Sequence, residues 1–209
     1  MHVSTPAFTS AAQLHLTAPT PSLNLILQSG VLLPCRTGIC LHTLFAHDLA
    51  VPAEVLQRIT VFFLDGKPVD NLETAFAHEG CRIALAAGLP GAAGLAMRLG
   101  SPLAGLRPGI THLDKTHEAV KEHSYITLAL FSLSMPMLAP HFLAQGVYVT
   151  PAQLEQYVSP ESRAHCTFTG STGETGTPGA QANGPLASFL PTWQAMPKEA
   201  LVRLTVAPA

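Results

Sequence analysis

The sequence predicts an α+β fold in which a helix packs on a small mixed sheet, followed by a mainly helical region with short strands. Three observations predict it. Leu23, Leu25 and Leu27 alternate with Asn24 and Gln28, which is the period of a strand. Ile39, Leu41, Leu44, Phe45 and Leu49 share one face at helical spacing. Thr60-Val61-Phe62-Phe63-Leu64 is β-branched and aromatic, and Asp65-Gly66, the dipeptide of a two-residue hairpin, follows at once.

The elements follow in order. Residues 1–21, rich in Pro, Ser and Thr, predict a mobile arm with a short strand at 13–17. A strand at 23–28 turns at Ser29-Gly30 into a second strand at 31–33, which Pro34 ends. Thr37 or Gly38 starts the helix. Pro52 then opens one further helical turn over 53–58. The strand at 60–64 pairs through Asp65-Gly66 with a short strand at 67–69, and a last strand covers 81–86 after the Glu79-Gly80 turn. Strand, strand, helix, strand, short strand, strand is the order of a β-grasp (ubiquitin-like) domain, here over 22–90.

Residues 91–110 form a Gly/Ala/Leu-rich connector. A helical region spans 111–169, with a polar helix at 112–123 and another helix at 136–145 stopped by Gly146. An extended piece covers 147–149. Thr150-Pro151-Ala152-Gln153 then starts a helix, with Thr150 as its cap and Gln153 closing a capping box. Residues 170–184 predict a flexible linker. Residues 185–209 carry a strand at 201–206.

Composition bounds the function. Apolar residues are 47 % of the chain and charged residues 11 %, against about 25 % charged in ordinary domains. A surface so poor in charge predicts that a protein partner or a second copy covers part of it. A net charge of −2 offers no basic stripe for nucleic acid. The most apolar run, 84–106, is interrupted by Pro90, Arg98 and Pro102, so no membrane span is expected. No basic-then-apolar leader opens the sequence, and the four cysteines lack the spacing of a disulfide scaffold. A cytoplasmic location is the expectation.

Asp65-Gly66, Val69, Thr74, Glu79-Gly80, Ile83, Leu85 and Gly91-Ala92 stand in the order of a known signature. This stretch resembles the end of the sulfur-carrier proteins, the small subunit of molybdopterin synthase and the thiamine sulfur carrier. The resemblance implies the β-grasp fold and a terminal Gly-Gly that is activated for sulfur transfer. Here Gly91 is followed by Ala92 and more than a hundred further residues. The expectation is therefore a docking surface without the carrier's reactive carboxylate. The whole chain is also similar to bacterial proteins that join such a segment to a C-terminal extension.

Cys35-Arg36-Thr37-Gly38-Ile39-Cys40 resembles the start of the plant-type ferredoxin loop. The third ligand position falls on Thr43, and a [2Fe–2S] cluster needs four ligands, so no cofactor is expected. Cys35, Cys40 and His42 remain as candidate metal ligands or a thiol-redox set. A thiolate at a helix start beside Arg36 would be favoured. The plainer account is free Cys packing as a small hydrophobe. His42 and His47 are five apart, and His112, His117 and His123 are five and six apart, which is poor for one helix face. Lys121 stands where a zinc HExxH motif would need its second His. The glycine-rich run at 88–94 lacks the Lys-Ser/Thr of a phosphate loop, and no G-x-S-x-G elbow occurs. No catalytic residue is assigned. The reading is a non-catalytic interaction or accessory protein with a β-grasp docking surface. The alternative is metal- or thiol-linked chemistry at Cys35 and Cys40.

Overall fold

A computed structural model describes residues 8, 11–16, 21–107, 109–112, 118–157, 167–170, 182–185 and 196–207. The strands among them are β1 (Ala12–Leu16), β2 (Val31–Thr37), β3 (Val61–Leu64), β4 (Lys67–Pro68), β5 (Arg82–Ala87), β6 (Lys121–Ser132), β7 (Val147–Val149), β8 (Thr167–Gly170), β9 (Ala182–Pro185) and β10 (Val202–Val206). The protein is mixed α/β. It divides into two compact units, 32–138 and the paired flanks 1–31 and 139–209.

In the 32–138 unit the strand order is β4-β3-β5-β6-β2. β3 runs antiparallel to β4 and to β5, while β5 and β6 are parallel, in register from Arg82↔Thr127 to Ala87↔Ser132. The turn from β3 to β4 is a two-residue one, with φ of 49° at Asp65 and 77° at Gly66. Both values suit the twist of a hairpin and are tolerated by Asp and Gly. Val61, Phe62, Leu64, Ile83, Leu85, Ile126, Leu128 and Leu130 are fully buried. Phe45 meets Phe62 edge-on at 5.7 Å.

The helix bearing Phe45 starts at α2 (Leu41–Thr43) and continues as a π-helix over Leu44–Asp48. Leu49 N–H bonds Leu44 C=O at 2.9 Å, the wider repeat that lets Leu44 and Phe45 both point inward. Its last residue, Asp48, accepts two guanidinium bonds from Arg36 of β2, at 2.9 and 2.5 Å. That bidentate pair ties helix to sheet. The Arg36 hydrogen bond holds the Asp48 carboxyl below the usual carboxylate range, against the opposing effect of burial. A depressed carboxyl adds stability above its unfolded-state value and loses it as pH falls through the folded one. Asp48→Asn is expected to cost about 1.5 kcal/mol at neutral pH. Urea titrations should show that gap to wild type closing below about pH 4, where free carboxylates take up protons. A gap that stays constant down to acid unfolding would contradict the pairing.

The flanking unit has the order β7-β10-β1-β8-β9. β1 is parallel to β10, from Ala12↔Val202 to Leu16↔Val206, and antiparallel to β8. β10 pairs antiparallel with β7, and β8 with β9. α1 (Ile26–Ser29) and α6 (Pro151–Tyr157) belong to this unit. The Thr150 capping box forms as expected. Thr150 N–H donates to Gln153 Oε1 at 2.9 Å, and Gln153 N–H meets Thr150 Oγ1 at 3.3 Å. Gln153 Nε2 also donates to Gly30 C=O at 2.7 Å, which secures the end of α1.

Several expectations are corrected. Residues 23–28 are not a strand: a 3-10 turn over Pro21–Leu25 runs into α1. Leu23, Ile26 and Leu27 are buried while Leu25 is 43 % exposed, so the apolar spacing is i, i+3, i+4 and not alternate. Gly38 and Ile39 precede the helix rather than opening it. Of the expected polar helix at 112–123, residues 113–117 lie outside the described residues, and Lys121 onward is β6. Among its described residues the 111–169 region holds strand as well as helix: it supplies the longest strand of the described residues alongside α5 (Ser134–Gln145). In the predicted linker, 171–181 lies outside the described residues, while Thr167–Gly170 and Ala182–Pro185 pair as strands.

Candidate functional site

The segment after β4 folds back along the start of the helix. Gly38 N–H bonds Ala77 C=O at 2.7 Å, Ala77 N–H bonds Ile39 C=O at 3.0 Å, and Leu41 N–H bonds Ala75 C=O at 2.9 Å. This ladder holds Phe76, Ala77 and His78 beside the β3–β4 turn. Between them lies a cleft of about 310 Å³. Leu64, Phe76 and Ala77 give it apolar walls; Asp65, Lys67, His78, His112 and Glu118 give it polar ones. A backbone bond from His112 N–H to Pro68 C=O, 2.9 Å, fixes His112 against β4.

The acids of the cleft are already engaged. Asp65 Oδ2 lies 2.7 Å from His78 Nε2, and Asp65 Oδ1 accepts Arg82 N–H at 2.8 Å. His78 Nδ1 faces Glu79 C=O at 3.3 Å, so both ring nitrogens meet oxygens that only accept. Glu118 sits 3.4 Å from Lys121. A general base needs a lone pair within reach of its substrate. The Asp65–His78 pair has its hydrogen-bonding atoms committed to each other and to the backbone. None of these five residues is marked by sequence spacing, since they are scattered over 54 positions and meet only through the fold-back segment.

The residues singled out in the sequence lie elsewhere. Cys35 is in β2, and burial, with Cys81 and Asp48 adding to it, pushes its thiol up to about 12. Burial pushes the Cys81 thiol to about 12 as well. The expected acidification of Cys35 by Arg36 does not occur, because that guanidinium is spent on Asp48. Cys40 stands at the N-cap position of the helix without a side-chain cap bond. Its Sγ lies 3.2 Å from Thr43 Oγ1 and 3.5 Å from Glu73 Oε2. His42 Nδ1 is 3.2 Å from Glu73 Oε1. Glu73 thus gathers Cys40 and His42, an association that sequence reasoning missed. Cys35, Cys40 and Cys81 are free thiols. Among the described residues no set of three or more His, Cys, Asp or Glu converges as a metal site. His47 and His123 are exposed, and His117 lies outside the described residues.

No helix among the described residues is long and apolar enough to cross a membrane. Compared with family models, with characterised proteins and with solved structures, the chain matches none of them.

Proposed function

We propose that this chain is a non-catalytic accessory protein that works through protein surfaces, and that its 32–138 unit is a β-grasp module with a permuted strand order. In the usual order the strand parallel to the last one comes first, before the helix. Here the strand parallel to β5 is β6, which follows it in the chain. β6 would therefore fill the place that the sequence offered to residues 23–28.

The observation that carries the docking role is the connector after β5. Leu106 is 76 % exposed, with Ile110 at 48 % and Leu95 at 40 %. Its neighbour Arg107 is only 3 % exposed and is bonded at three points. An apolar side chain presented on a pinned backbone costs little ordering entropy when a partner covers it. Edge-strand addition at β4 is a poorer route, because that strand has two residues and one is Pro68, which has no N–H. The raised thiol of the partly buried Cys35 speaks against thiol chemistry at that residue.

Leu106→Asp in the full chain tests the reading. Cross-linking in the native cells and sedimentation of the pure protein should both report loss of a partner or second copy, with circular dichroism unchanged. An identical cross-linked set and an identical sedimenting mass would overturn it.

A further inference from the structure

We draw no further inference here: the strongest candidate, the glycine loop Gly88-Leu89-Pro90-Gly91 that leads from the end of the parallel strand β5 into the helix at Gly91–Ala96, with φ of 71° at Gly88 and 75° at Gly91, rests on loop geometry and the start of a six-residue helix with no second observation that points to a ligand.

Discussion

Arg107→Met is expected to destabilise the 32–138 unit by about 3 kcal/mol, through loss of bonds to a buried charged group. Arg107 is 3 % exposed, yet each end of its guanidinium is used. Nε donates to Ala96 C=O at 2.6 Å, at the end of α4 (Gly91–Ala96). Nη1 donates to Thr111 Oγ1 at 2.9 Å, and Nη2 to Asp70 Oδ1 at 2.6 Å. One side chain thereby fastens the connector to itself at Ala96, to Thr111 just beyond it, and to Asp70 after β4. Met fills the volume but makes none of these bonds. The Asp70 side chain is 36 % exposed and can rehydrate, so the loss should stay near the lower end for a broken buried pair. Asp70→Ala leaves the buried guanidinium without its counter-charge and should cost as much. Equilibrium urea unfolding of both single variants and the double variant provides the check, with the double well short of the sum of the singles. A loss under about 0.5 kcal/mol for Arg107→Met, the range of an ordinary surface change, would refute the anchoring role.

Gly38→Ala should cost about 2–4 kcal/mol, which adds backbone strain to overpacking. Gly38 has φ of +79°, and a Cβ there would sit 2.7 Å from Ala119 O and 2.8 Å from Glu118 O. Both obstacles are backbone, in the approach to β6, and cannot swing aside. They are close because the end of β2 is locked to the start of β6, where Thr37 Oγ1 donates to Ser124 Oγ at 2.9 Å in a buried pair. Gly66→Ala is the control. Its φ is +77°, but a Cβ meets nothing within 4 Å. It should cost only the left-handed backbone penalty of about 1–2 kcal/mol. The difference between the two variants in urea isolates the close approach of the backbones, and equal losses would mean that no such approach exists.

What the sequence by itself determined was chemistry that acts over a few residues. Asp65-Gly66 gave its hairpin turn because both residues tolerate positive φ, and Thr150 and Gln153 formed their capping box because each reaches the other's N–H. The strands ending in Leu64, Ala87 and Val206 were legible for the same local reasons. The tertiary structure decided the rest. Residues 124–130 are almost all buried on both sides of β6, so the alternation that marks a half-exposed strand is missing. Their apolar run does not distinguish strand from helix. Leu23, Leu25 and Leu27 fit a strand until Ile26 is counted on the buried face. The thiols of Cys35 and Cys81 are held neutral by burial, which depends on what packs over them and not on the Arg36 next door. The cleft joins Asp65, His78 and His112, which share no periodicity. Turns and caps are settled by a residue's own φ and its nearest N–H groups; partner strands, burial and the meeting of distant side chains are settled by how much apolar surface each arrangement removes from water, a quantity summed over the whole unit.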